Sequence, residues 1–289
     1  MTIPGPPEVA CEIAAALDRS GLRCRRVQLV SPLGERKGIR FAYRVDTEDG
    51  RTVKLRHFGA AEPAREHVAL RAELDEAFAP VLGRDGAVVF EAWVAGVPLD
   101  DADPEERAGE AGALLGRLHA TPMRASLGTT CDTRRWRSAA HSDLEILRRA
   151  GTLSAAEAAA LGAALAALDP EAARVALIHK DFCAENMLVD GGGRLRLIDN
   201  EQLEVGPAGF DLGRTFHRWP MSRAAWTRFI AGYRACAPAD PGATGFWRIV
   251  AALVGARVFL QRIPERLDAS LELLRRLAAG RDLEHADAR

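Results

Sequence analysis

The chain has 289 residues, 48% of them hydrophobic, with 39 basic and 40 acidic side chains and a formal net charge of -1. That balance supports a substantial core and excludes a general binder of nucleic acid or of anionic membrane surfaces, since both need a clear excess of Lys and Arg. Five scattered cysteines, Cys11, Cys24, Cys131, Cys183 and Cys236, include no Cys-x-x-Cys pair, which argues against both a disulfide framework and a zinc site.

Met1 to Ala10 has no basic segment leading into an apolar one, and the apolar run Ile249 to Ala256 is far too short to cross a bilayer. A cytoplasmic protein is therefore expected, with no membrane or nucleic-acid partner and with its oligomeric state undetermined. Only Lys37, Lys54 and Lys180 are lysines, so 36 of the 39 basic residues are arginine. Where each lysine stands is thus of interest.

In chain order, Pro6-Pro7-Glu8 opens a helix carrying Val9, Ile13, Ala16 and Leu17 on one side and stopping near Ser20-Gly21. Arg25 to Val30, Ile39 to Asp46 and Thr52 to Arg56 read as strands, the last two joined through Asp49-Gly50, a strong hairpin signal. A helix begins at Glu62-Pro63, and Ala87 to Trp93 reads as a further strand.

Gly96-Val97-Pro98 breaks the pattern, and beyond it helices dominate. Asp103 with Pro104 predicts a helix start, with Ala111, Leu114, Leu115 and Leu118 facing inward. Ser154-Ala155-Ala156-Glu157 is a capping box. Short apolar β runs follow at Val175 to Ile178, Met187 to Val189 and Arg194 to Ile198, the last two flanking Asp190-Gly191-Gly192-Gly193. Trp226, Phe229, Ile230 and Tyr233 mark one face of a helix after Ser222. Two more helices span roughly Thr244 to Ile263 and Pro264 to Gly280.

The densest chemical signal is His179-Lys180-Asp181-Phe182-Cys183-Ala184-Glu185-Asn186, followed after a strand, turn and strand by Ile198-Asp199-Asn200-Glu201. Carboxylates and an amide at the edges of one apolar hairpin suit phosphoryl transfer. One carboxylate orients the acceptor hydroxyl, while the amide and the second carboxylate offer hard oxygen ligands to Mg²⁺.

The pattern His-x-Asp-x-x-x-x-Asn, then Ile-Asp-x-Glu, then Asp211-Leu212, resembles that of the aminoglycoside phosphotransferase and choline kinase superfamily, relatives of the protein kinases. The resemblance implies an α+β, bilobal, protein-kinase-like fold. Residues 1-95 would form a small antiparallel β-sheet N-lobe and residues 96-289 a mainly helical C-lobe. It further implies Asp181 as catalytic base, His179 as an orienting residue of the same loop, and Asn186 and Asp199 as magnesium ligands.

Upstream, Thr52-Val53-Lys54-Leu55-Arg56 is similar to the third strand of the small lobe, which implies Lys54 on the α- and β-phosphates of ATP with Glu66, or alternatively Glu73, as its helix partner. Phe90 to Leu99 resembles the interlobe hinge, with the backbone of Ala92 and Val94 meeting adenine. Leu114-Leu115-Gly116-Arg117-Leu118-His119 is similar to the family's "LxxLH" helix.

Several departures stand out. The phosphate-covering loop, Pro32 to Gly38, holds Gly34 and Gly38 but no full G-x-G-x-x-G. Lys180 stands where many small-molecule kinases carry glycine, and it either holds Asp181 ionised, meets an anionic substrate or faces solvent. Glu201 either assists a metal or braces its loop. Cys183 reads as a small packed residue, and His217 as packing or as lining an acceptor pocket.

The expected activity is ATP- and Mg²⁺-dependent transfer of the γ-phosphate to a hydroxyl of a small molecule: an antibiotic, a sugar or an amino alcohol. Residues 201 to 289 hold 13 arginines and 10 acidic residues, a difference of +3, with no acidic surplus for a polycation. The alternatives are a catalytically idle nucleotide-binding scaffold and a protein kinase. Against the latter, Asp199-Asn200-Glu201 replaces Asp-Phe-Gly and no Ala-Pro-Glu follows.

Overall fold

The computed structural model describes residues 2–30, 41–72, 74, 77–122, 130–170, 172–237 and 244–281, and for 130–132 the backbone alone. Their contacts divide the chain into two compact units. The first is Met1–Pro98 with Met187–Glu201; the second is Leu99–Asn186 with Gln202–Arg289. The segment Met187–Glu201, which falls within the expected 96-289 region, thus packs with the first unit.

In the first unit, α1 (Pro7–Ser20) starts with proline in its first turn and ends at Gly21, whose φ of 69° is natural to glycine. It is followed by β1 (Cys24–Leu29), β2 (Phe41–Thr47), β3 (Thr52–His57), α2 (Ala61–Arg71), β4 (Val81–Asp85) and β5 (Val88–Ala92). The strands form one antiparallel sheet in the order β1-β2-β3-β5-β4. As expected, the β2–β3 hairpin turns at Asp49-Gly50, closed by Thr47 N–H donating to Arg51 O at 2.9 Å.

Strand alternation sorts the sheet's side chains into two sets. Tyr43, Val45, Val53, Leu55, Val88 and Phe90 pack with Ile13, Ala16 and Leu17 of α1. Val89 packs with Ala64 and Val68 of α2 on the other face, the one to which Lys54, Arg56 and Glu91 belong by register. Strand β4 escaped the sequence reading because Val81-Leu82-Gly83-Arg84-Asp85 does not alternate and holds a glycine. It is an edge strand, with Leu82 57% exposed.

A small second sheet completes this unit, with β6 (Val97–Pro98) pairing with β9 (Met187–Val189), which pairs in turn with β10 (Leu195–Leu197). The Asp190 side chain closes the β9–β10 turn by accepting from Gly192 N–H and Arg194 N–H, both at 2.9 Å. A parallel bridge from Phe78 to Leu197 ties this sheet to the rest of the unit.

The second unit contains α3 (Ala108–Ala120), β7 (Thr130–Asp132), α4 (Arg134–Arg149), α5 (Ala155–Leu168), β8 (Ala172–Ile178), β11 (Glu204–Pro207), α6 (Ala208–Arg218), α7 (Arg223–Cys236), α8 (Thr244–Arg262) and α9 (Leu267–Ala278). Helix α8 is buried nearly all round, from Gly245 to Leu253, and forms the centre of the unit's core. The capping box is present as read: Ser154 Oγ accepts from Glu157 N–H, and Glu157 Oε2 accepts from Ser154 N–H.

The helix expected from Pro104 begins only at Ala108, after a turn. Glu105 is drawn away, its carboxylate accepting Ser222 N–H and Oγ–H, both at 2.7 Å. Among the described residues no helix is long and apolar enough to cross a membrane.

Candidate active site

In the first unit, alternation puts Lys54 and Arg56 on one face of β3, and the register sets Glu91 of β5 opposite Lys54. Lys54 lines a cavity with Glu91, Ala92, Val94, Ile198 and Asp199. Its Nζ is 4.0 Å from Asp199 Oδ1. Burial lowers the ammonium pKa, and Arg56 adds to this, against the opposing pull of Asp199, Glu91 and Glu201.

Arg56 is the hub of this cluster. Its Nη1 donates to Glu201 Oε2 at 2.5 Å and to Asp199 Oδ1 at 3.2 Å, and its Nε is 3.7 Å from Glu91 Oε2. Glu91 Oε1 also accepts from Arg71 Nη1 at 2.7 Å and is 3.5 Å from His67 Nε2. Burial opposes ionisation of Glu91, but Arg56, His67 and Arg71 outweigh it and hold the carboxyl well below its usual range. Asp199 is likewise held low against burial, chiefly by Arg56. Burial pushes Glu201 the other way, up to about 7, with the Asp199 charge adding to the effect.

Glu66 does not take the place expected of it. The sheet-facing stripe of α2 is Ala64, His67 and Arg71, so the 3.6-residue period leaves Glu66 exposed on the outer face. The buried carboxylate opposite Lys54 is Glu91, on a strand and not on the helix. Glu73 and the loop residues Gly34, Lys37 and Gly38 lie outside the described residues. Ala92 N–H is already bonded to Pro80 O at 2.9 Å.

In the second unit, β8 leads into the loop that carries His179, Asp181 and Asn186. Asp211 of α6 caps this loop from inside: its Oδ2 accepts His179 N–H at 2.6 Å and its Oδ1 accepts Lys180 N–H at 2.7 Å. Lys180 has φ 69°, the left-handed region that glycine adopts without penalty.

Asp181 receives Arg218 Nη1 at 3.0 Å on Oδ1 and lies 3.3 Å from Arg214 Nη2. Asn186 Nδ2 donates to Asp181 O at 2.7 Å and to Asp181 Oδ2 at 3.3 Å. Burial opposes ionisation of Asp181, yet Arg214 and Arg218 hold its carboxyl below the ordinary value. The charge beside Asp181 therefore comes from α6. Lys180 instead pairs with Glu204, Nζ to Oε2 at 2.9 Å.

His179 is fully buried, and neither ring nitrogen has a hydrogen-bond partner among the described residues, so it acts on the loop through packing on Phe182 and through its backbone. His217 packs too, bonded to Ser270 Oγ at 2.7 Å and lying 5.9 Å from the Phe259 ring. Cys183 is buried, and burial pushes its thiol up to about 12, as suits a packed residue. Sequence reasoning missed Arg56, Glu91, Arg214 and Arg218 as site residues. For Arg56, Arg214 and Arg218 the signals were spacings: Arg56 stands two residues after Lys54 on one strand, and Arg214 and Arg218 three and seven residues after Asp211 on one helix face.

Among the described residues no cluster of three or more His, Cys, Asp or Glu could hold a metal. The donors expected for Mg²⁺ are nevertheless of the right chemistry. Asp199 is an ionised carboxylate with its side chain 45% exposed, and Asn186 uses its nitrogen for Asp181, which orients its amide oxygen as a hard ligand.

The sequence profile of the phosphotransferase enzyme family (APH) matches residues 36–247, and the chain belongs to that family. No curated protein matches it in sequence.

Solved structures with the same fold include a macrolide 2'-phosphotransferase type I, 18% identical, covering 99% of this chain and 100% of that one with a TM-score of 0.62. Another is the choline kinase LicA from Streptococcus pneumoniae, 15% identical, covering 94% and 98% with a TM-score of 0.65. A spectinomycin phosphotransferase in complex with ADP and spectinomycin is 13% identical, covering 95% and 98% with a TM-score of 0.63.

Proposed function

We propose that this enzyme transfers the γ-phosphate of ATP, with Mg²⁺, to a hydroxyl of a small molecule. The observation that carries the reading is Lys54: a nearly buried ammonium, 4.0 Å from Asp199, in a cavity also lined by Ala92, Trp93 and Val94. In this reading Lys54 grips the α- and β-phosphates. Ala92, its N–H already committed, accepts from adenine through its carbonyl, and Val94 donates its N–H. Asn186 and Asp199 hold Mg²⁺, which neutralises charge on the phosphates when bound.

Asp181 orients the acceptor hydroxyl and takes its proton. The two arginines beside it keep the carboxylate ionised and so always able to accept a hydrogen bond, at some cost in basicity. Support for a small-molecule acceptor comes from the family itself and from neighbours named for macrolide, spectinomycin and choline chemistry.

The test is a melting curve with saturating Mg-ATP, which stabilises the native state by about 2.7 kcal/mol at a hundredfold excess over Kd, combined with a mass-spectrometric screen of hydroxylated compounds for phosphorylated products. Asp181→Ala is expected to keep the thermal shift and to lower turnover by about 10²-fold or more. An unchanged melting curve, or full turnover in that variant, overturns the reading.

A further inference from the structure

Tyr233 belongs to the helical stripe Trp226, Phe229 and Tyr233, whose spacing marks it as core, and it is only 1% exposed. Its hydroxyl nevertheless has a polar partner, His119 Nδ1 at 2.9 Å. His119 Nε2 in turn lies 3.2 Å from Asp211 Oδ2, and the two Asp211 oxygens receive His179 N–H and Lys180 N–H. His119 and Asp211 are buried as well, 2% and 0% exposed.

The direction of this chain follows from its far end. Backbone N–H groups only donate, so both Asp211 oxygens accept from the loop, and a carboxylate there takes a further hydrogen bond from His119 Nε2–H. With one proton, at Nε2, the ring presents a lone pair at Nδ1 to the phenolic O–H, whereas a doubly protonated ring would donate there instead. The reach is made possible by glycine: a Cβ at Gly112 or Gly116 of α3 would stand 1.9 Å from Phe229 O or 2.6 Å from Tyr233 O of α7.

We propose that Tyr233 is a positioning residue for phosphotransfer: its O–H fixes the Nε2–H tautomer of His119, and His119 with Asp211 holds the His179–Lys180 backbone in the turn that presents Asp181. Lys180 at φ 69° is a conformation that a side-chain-bearing residue keeps only where its surroundings impose it. The catalytic consequence rests on the role proposed for Asp181; the ordering of the loop does not.

Two measurements test this. Nitrogen-15 histidine spectra of the unmodified enzyme are expected to show His119 protonated at Nε2 with Nδ1 accepting a hydrogen bond; an Nδ1–H tautomer or a doubly protonated ring overturns the proposal and needs no variant. Tyr233→Phe keeps the ring and deletes the O–H. In it, amide exchange at His179 and Lys180 is expected to quicken about fivefold beyond any change in α5, the effect of one hydrogen bond. Turnover should fall by a similar factor with KM for ATP unchanged.

Equal quickening in the loop and in α5 would mean a core role alone and would overturn the proposal. Should Asp181→Ala retain turnover while the exchange pattern holds, it is the functional reading that fails and not the positioning of the loop.

Discussion

Asp181 and Lys54 show how neighbours decide what a side chain can do. The guanidinium groups of Arg214 and Arg218 keep Asp181 ionised although burial opposes it. Removing one of them with Arg218→Met is expected to raise the Asp181 pKa, so its carboxyl carbon should titrate at higher pH by NMR and the acid limb of activity should move up with it. The same change frees Glu185, which Arg218 Nη2 holds at 2.7 Å, whereas Arg266 still reaches that carboxylate at 3.1 Å. Lys180→Gly is expected to relieve the left-handed backbone but to break the ion pair with Glu204. A change in stability within about 1 kcal/mol of zero by denaturant titration fits these opposing terms.

At the scale of elements, two glycines in helices behave oppositely. Gly112 lies where α3 meets α7, and a Cβ there would come 1.9 Å from Phe229 O, so Gly112→Ala forces the helices apart at a cost of about 1–3 kcal/mol. Gly162 of α5 has only Leu144 Cδ2 near, at 3.9 Å, so Gly162→Ala should stabilise by about 0.5–1 kcal/mol through helix propensity. Opposite shifts in melting temperature check the pair.

The same packing explains which elements were legible in the sequence. Strands β2, β3 and β5 and helices α5, α7 and α8 stand out by period, caps and turns. Helix α6 does not, because Gly209 and Gly213 weaken its propensity in order to let Trp247 approach, a Cβ at Gly213 falling 2.2 Å from Trp247 O. Helix α4 carries its apolar stripe in Trp136, Ala140, Leu144 and Leu147, without a side-chain cap to mark its start.

For the molecule as a whole, the pH dependence of stability is set by buried groups shifted in opposite directions. Glu91, Asp181 and Asp199 have folded-state pKa values below their unfolded ones. They contribute stability above about pH 4 that is lost as pH falls further. Glu201, raised to about 7, binds a proton more tightly in the fold, so its contribution falls as pH rises from about 4.5 to 7. Burial holds His67 and His217 below their ordinary range, so they work against that fall by adding stability as pH rises to about 6.5. Relative to the unaltered protein, Glu201→Gln is expected to gain melting temperature from pH 5 to pH 7 in metal-free buffer and to leave the acid limb in place.

By itself the sequence determined the family, the strands and helices with clear periods, caps or turns, the loop bearing Asp181 and Asn186, and Lys54 as a strand lysine of interest. These follow from local rules: periodicity, caps, turn residues and short motifs act over a few positions. Only the tertiary structure decided that Glu91 and not Glu66 is the buried carboxylate opposite Lys54, that Arg56 joins Asp199 to Glu201, that α6 supplies the charge on Asp181, and that Tyr233 reaches the loop bearing Asp181 through His119 and Asp211. The physical reason is that a charge is set by whatever surrounds it in space, and those neighbours stand tens to more than a hundred residues away along the chain, where no spacing rule extends.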